Sequence, residues 1–332
     1  MKHILAVCDS ESGYAYGLAD YLSTKKGFPF EVQVFTSVLR MEEFAGTHPL
    51  SVALVAEKDY NEDMQALSID QIILLGEARR RREDRLPVIW KYQSCEKMVK
   101  ELLDRVAGEG IIGRPPDTKN QMKLIGIYSP VGRCLKTSFS FLMGQLLSKK
   151  HRVLYLNMES YSGLGRLLKR EFSTDMAELV YYLQNTPDNF GYRLGSMVEQ
   201  IGGLDIMPPF HSFLDFISVT GEEWIRMFKE IERGSDYEYV ILDLSDGIQN
   251  LFDVLRLCDL VYTLGREDGF SMAKIEQYRE VLRRSSYPDI WEKTKHYTVP
   301  DFKDLPEGLL QLTYTELAEY VKQRIEEDLH EG

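Results

Sequence analysis

Hydrophobic residues in the first third of the chain come in short aliphatic runs separated by amphipathic stretches. His3 to Cys8, Phe30 to Phe35, Ser51 to Ala56, Gln71 to Leu75 and Leu86 to Trp90 are each five or six residues long and read as strands. Tyr14 to Lys26 and Ser94 to about Val106 repeat their apolar positions at helical spacing instead. This alternation predicts an α/β unit with a parallel sheet covered on both faces, because parallel neighbours need a crossover element between them.

From Gly108 the texture changes. Residues 108–120 are rich in Gly, Pro and polar side chains and carry no sustained period, so they predict a linker between a domain of residues 1–107 and another of residues 121–332. Beyond it, Lys123–Tyr128, His151–Leu156, Leu204–Pro209, Tyr239–Leu244, Leu260–Leu264 and His296–Asp301 predict strands of a larger, doubly wound sheet, with Phe270–Arg284 as a helix. No internal repeat or low-complexity tract is present.

Composition narrows the function classes. A chain of 332 residues suits two domains, each able to bury a core. The formal net charge of -12 argues against a nucleic-acid surface, which needs a basic face. Cys8, Cys95, Cys134 and Cys258 have neither disulfide-framework nor zinc-site spacing, and a reducing cytoplasm fits them best. The apolar run Ile4–Cys8 is too short for a signal-peptide core, and no segment approaches the roughly 20 apolar residues of a membrane span. The acidic end, with Glu316, Glu319, Glu326, Glu327, Asp328 and Glu331 against Lys322 and Arg324, has the wrong sign for an anionic-lipid helix.

The chemistry is concentrated where the Lys123–Tyr128 strand runs through Ser129-Pro-Val-Gly-Arg-Cys-Leu-Lys-Thr-Ser138 into a helix. Strand, tight turn and helix with Lys and Thr in its first turn is the order of phosphate-binding loops, which use helix N-terminal amides and the helix dipole to hold an anion. The strict pattern G-x-x-x-x-G-K-[ST] is broken, since Pro130 and Leu135 replace its glycines. The loop resembles the variant form found in ParA/MinD ATPases: Gly132, Lys136 and Thr137 match, whereas Val131 replaces the family's signature lysine and Arg133 and Leu135 replace glycines.

That resemblance implies ATP and Mg²⁺ as ligands. It places phosphate against Gly132, Arg133, Cys134, Leu135, Lys136, Thr137 and Ser138, and Mg²⁺ on Thr137 and Asp243. Asn157 and Glu159 stand where the family carries two aspartates, one near the metal and one positioning the attacking water. Asn157 is therefore a third candidate metal contact and Glu159 the candidate catalytic group, both chemically altered. Asp246 and Gly247 would belong to a phosphate-sensing switch. Val131 removes a lysine that in the family reaches the partner's nucleotide, and a slow or inactive ATPase is expected. On residues alone, Lys136 can also be read as an exposed helix-start lysine and Asp243 as a strand-terminal cap.

The first domain resembles a response-regulator receiver. Asp9 and Lys91 match its metal-binding acid and its lysine, but the third strand ends in Ala56-Glu57 without a phospho-acceptor Asp, and Gly76 replaces a Ser or Thr. Asp9 and Lys91 are also readable as a buried ion pair, and Arg79–Arg82 as an anionic-partner contact or a solvated loop. An atypical receiver followed by a ParA/MinD-like domain with an eroded loop resembles the TadZ/CpaE family. The resemblance implies an ATP-binding homodimer, joined through the ATPase domain, that marks a cell pole or inner-membrane site for Tad (Flp) pilus or secretion assembly proteins. A scaffold with a vestigial loop and a ParA/MinD-type partitioning ATPase are the alternatives. Phe210, Phe213, Phe216 and Tyr181 are readable as a partner surface or as core.

Overall fold

The computed structural model describes residues 3–25, 28–77, 86–108, 122–185, 190–303 and 305–329. Arg79–Arg82 and nearly all of the expected linker lie outside them. The chain divides into two compact units, Met1–Pro116 and Asp117–Gly332.

In the first unit, β1 (His3–Cys8), β2 (Phe30–Phe35), β3 (Leu50–Ala56), β4 (Ile69–Gly76) and β5 (Val88–Trp90) form one sheet in the order β2-β1-β3-β4-β5. Every pairing is parallel. This is the flavodoxin-like order, whose switch point lies between β1 and β3. Period-two alternation sends Ala6, Cys8, Ala53, Val55 and Leu74 to one face, where they pack with Met41 and Ala45 of the helix Val38–Ala45. Leu5, Val7, Leu54 and Leu75 on the other face are fully buried as well. Sheets covered on both sides carry such continuous apolar runs.

The second unit contains β6 (Lys123–Tyr128), β7 (Val153–Met158), β8 (Glu199–Ile201), β9 (Leu204–Met207), β10 (Tyr239–Leu244), β11 (Leu260–Gly265) and β12 (Thr294–Thr298) in the order β12-β11-β6-β10-β7-β9-β8. All pairings are parallel except β8 with β9. Two cores flank the sheet, as double winding requires. Ile125, Ile127, Tyr155, Tyr239 and Ile241 face one, with the helices Lys136–Leu147 and Glu316–Asp328. Leu124, Leu154, Leu156, Val240 and Leu242 face the other, with Trp224 and Phe228 of the helix Gly221–Gly234.

The predicted α/β class, with a smaller parallel sheet followed by a larger doubly wound one, is what the structure has. Its departures are local. The strand expected at His296–Asp301 runs over Thr294–Thr298, because register with Val261–Gly265 sets its ends. β8 is a short edge strand that the apolar pattern does not predict; Gly202 and Gly203, both at positive φ, make the two-residue hairpin turn between it and β9. The helix Gly221–Gly234 was also missed; its signal is the capping box Thr220–Glu223. No described helix is long and apolar enough to cross a membrane.

Candidate functional site

The loop Ser129–Leu135 leaves the C-terminal end of β6, where open α/β sheets place their ligands. Two anchors hold its start: the Ser129 hydroxyl donates to the Leu264 carbonyl of β11 and accepts from Val131 N–H at 3.0 Å. Cys134 Sγ points back to the Val131 carbonyl at 3.1 Å. Val131 itself is buried in the core beneath the loop.

The helix that follows is apolar almost all round, with Phe139, Phe141, Leu142, Met143 and Leu147 buried, so tertiary packing rather than amphipathic patterning holds it in place. Gly144 lets it approach the sheet, since a Cβ there would stand 3.0 Å from both methyls of Leu204. Its N-cap is Leu135, which offers no side-chain hydrogen bond. The N–H groups of Gly132, Arg133, Lys136, Thr137 and Ser138 donate to no acceptor among the described residues. A helix start left uncapped in this way presents its donors to water or to an anion.

The loop obtains its shape despite the lost glycines. Arg133 and Leu135 occupy the left-handed region, at φ 58° and 63°. Each such non-glycine residue costs on the order of 1–2 kcal/mol, which the anchors and core beneath must offset. Leu135, which stands where the pattern has a glycine, thus holds a backbone conformation that glycine adopts without strain.

Lys136 turns inward. Its ammonium lies 2.8 Å from Asp243 Oδ1 and 2.7 Å from the Leu244 carbonyl, and pairs with Glu159 Oε1. Burial disfavours this charge, but the Asp243 and Glu159 carboxylates outweigh it and hold the Lys136 pKa above the ordinary lysine value. Burial raises the Glu159 carboxyl above its usual range, and Lys136 offsets only part of that. With three acceptors around one ammonium, the charged lysine is the state the geometry enforces.

Behind Lys136 lies a buried polar cluster. Asp243 Oδ2 accepts from Asn157 Nδ2 at 2.9 Å and from Tyr155 Oη at 3.1 Å, and all three residues are wholly buried. Burial, then the Asp243 charge, pushes the Tyr155 phenol well above its ordinary pKa, so it remains a proton donor. Asn157 Oδ1 faces Glu159 N at 3.4 Å, which orients the amide NH₂ toward the carboxylate. At the rim, Tyr128 Oη donates to Asp246 at 2.5 Å and Ser245 Oγ to the Met158 carbonyl at 2.8 Å.

The loop walls a cavity of about 870 Å³ that also touches Glu159, Ser245, Asp246 and Arg266. That volume lies within the roughly 300–1,000 Å³ range of ligand pockets. Arg133 is exposed and makes no ion pair among the described residues, whereas Arg266 reaches the Arg133 carbonyl at 3.1 Å and pairs with Asp301. The structure therefore brings together Gly132 to Ser138, Glu159 and Asp246 around one space and puts Asn157 and Asp243 behind the Lys136 ammonium. Free amides, three cations and this volume fit a polyphosphate. Among the described residues, no group of three His, Cys, Asp or Glu side chains converges as a metal cage. Arg266 and Tyr155 are site residues that sequence reading missed. Tyr155 gives no signal, being one apolar-run residue among six; Arg266 lies in Gly265–Gly269, the polar loop after β11.

Of the aromatics, Phe216 is core and Phe210 packs against it, whereas Phe213 stacks on the exposed Tyr161 with ring centroids 5.5 Å apart. In the first unit, Asp9 and Lys91 are both fully buried and 2.7 Å apart.

No protein-family model matches the chain, and no curated protein matches it. Solved structures similar to it include a ParA family ATPase from Chlorobium tepidum (TM-score 0.47, 16% identity, 63% of this chain and 100% of that one). A plasmid partition protein from Borrelia burgdorferi has a TM-score of 0.46 and 14% identity over 63% of this chain and 98% of its own. The MinD cell division protein of Aquifex aeolicus has 0.40 and 15% over 52% and 67%. At such scores these likenesses decide nothing about function, which is read from the loop itself.

Proposed function

We propose that the second unit is a ParA/MinD-type nucleotide-binding module that takes ATP at the loop Gly132–Ser138 and turns it over slowly or not at all. The observation that carries this reading is the set of amides at the uncapped helix start that meet no acceptor among the described residues, facing a cavity walled by Lys136, Arg133 and Arg266. Phosphate oxygens would accept from those amides, and the Lys136 ammonium would face the β/γ-phosphates while still paired with Asp243. Thr137 is the hydroxyl placed to meet a cation carried on the phosphates. Slow turnover follows from the acids. Glu159, the candidate base, is tied to Lys136, and Val131 is buried where the family's lysine would reach a partner's nucleotide.

At the finer level the proposal is a TadZ/CpaE-like homodimeric localisation factor for pilus or secretion assembly. The first unit supports this by joining a flavodoxin-like sheet to the module while ending β3 in Ala56 and Glu57 rather than a phospho-acceptor. A ParA/MinD-type partitioning ATPase is the alternative that shares the same site.

Isothermal calorimetry of the full chain with ATP tests the site, and a hydrolysis assay with and without duplex DNA separates the two finer readings. Saturable binding with turnover unmoved by DNA is expected. Absence of heat at millimolar ATP would remove the proposal, and DNA-stimulated hydrolysis would transfer it to the partitioning class.

A further inference from the structure

Asp243 is the residue whose surroundings fit its expected role least. A carboxylate serving a metal keeps an oxygen available, directly or through water, and its neighbours are hard oxygen donors. Here Oδ1 accepts from the Lys136 ammonium at 2.8 Å, and Oδ2 accepts from the Asn157 amide at 2.9 Å and the Tyr155 hydroxyl at 3.1 Å. Every group aimed at the carboxylate is a donor, and the residue is 0% exposed. Two facing carboxylates at 157 and 243 would repel unless a cation sat between them. With Asn at 157, the amide supplies the positive end of a dipole where an aspartate would demand an ion, and Tyr155 adds a second donor on the same oxygen.

We propose that Asp243 is the structural counter-ion of Lys136 rather than a metal ligand, and that the loop binds the triphosphate of ATP with an affinity nearly independent of divalent metal. The proposal rests on the loop being the nucleotide site. Positive charge that a metal normally brings to the β- and γ-phosphates comes instead from the chain. Arg133 is exposed and makes no ion pair among the described residues, and Arg266 and Lys136 line the same cavity, Lys136 while paired with Asp243. Asn157 and Tyr155 are positioning residues in this scheme: neither lines the cavity, and both act by satisfying Asp243 so that it requires no ion.

The experiment is calorimetry of the full chain with ATP, once with excess Mg²⁺ and once with EDTA. The expected affinities agree within about threefold, under 1 kcal/mol on the binding scale. Asn157→Asp, which restores the acid pair, is expected to make binding depend on Mg²⁺ by tenfold or more. Thermal melts with and without Mg²⁺ distinguish misfolding from loss of binding, and a variant that melts early but is rescued by Mg²⁺ also supports the scheme. Binding by the unaltered chain that needs Mg²⁺ tenfold or more overturns the inference and leaves the nucleotide site standing. No binding under either condition overturns the site itself.

Discussion

Each unit buries a strand-end aspartate against a lysine, and the two centres are finished in opposite ways. At the first, Asp9 meets Lys91 at 2.7 Å with neither exposed, and Lys58 and Glu11, each about half exposed, close the rim through contacts of 2.8 and 3.2 Å. Asp9 Oδ1 accepts in addition from the Glu11 N–H, and Tyr14 lies over the Lys91 ammonium at 4.5 Å. At the second, Asp243 meets Lys136 at 2.8 Å, but Lys136 also forms part of a cavity wall beside amides that meet no acceptor among the described residues. The same charge chemistry makes a closed structural knot in one place and a latch at the edge of a cavity in the other. What differs is whether free donors stand within reach of the lysine, and that depends on the helix cap more than on the ion pair.

The comparison breaks most visibly if the closed knot is opened. Lys91→Met strands a buried carboxylate, a change that costs 3–5 kcal/mol in a dry interior; about 3 is expected because the rim is wet. Urea unfolding followed through Trp90 fluorescence measures it, and a loss below about 1 kcal/mol would mean that Lys58 and the Glu11 N–H hold Asp9 without Lys91.

The latch responds differently. Lys136→Ala is expected to weaken ATP by more than about tenfold and also to lower stability, since Asp243 loses its counter-ion. Adding Asp243→Asn restores the melting temperature without restoring ATP affinity. Recovery of both would assign the binding defect to misfolding.

Arg133→Gly separates strain from charge. Glycine relieves the left-handed backbone and is expected to raise stability by up to about 1 kcal/mol while ATP affinity falls about fivefold. Affinity that rises instead would show that strain, not the guanidinium, governs this loop.

The smallest effect concerns thiols. Burial, with help from Asp59 and Asp9, pushes Cys8 beside the closed knot up to about 12. The unfolded thiol ionises near 8.5–9 while the folded one does not, so Cys8 makes the first unit lose stability as pH rises from about 9 toward 12. A Cys8→Ala variant shows a flatter decline over that window. With a thiol reagent at pH 8, exposed Cys95 reacts first, and ATP slows the reaction of Cys134 within the loop but leaves Cys8 unchanged. Equal protection of Cys8 and Cys134 would contradict a ligand confined to the loop.

Apolar runs of five or six residues and the strand–turn–Lys–Thr order were legible in the sequence, because burial on both faces of a sheet leaves no alternative to near-continuous Val, Ile and Leu. Those runs determined the α/β class and placed Gly132 to Ser138, Asn157, Glu159 and Asp243 at strand ends. Direction was not legible. That Lys136 folds back onto Asp243, that Tyr155 and Asn157 crowd the other oxygen, and that β8 runs antiparallel at the sheet edge all depend on neighbours more than 80 residues away or on one Gly-Gly turn. Local propensity decides what each segment becomes. Which donor satisfies a buried charge is decided only when distant strands are laid side by side, because the desolvation cost that selects the partner does not exist until the site is dry.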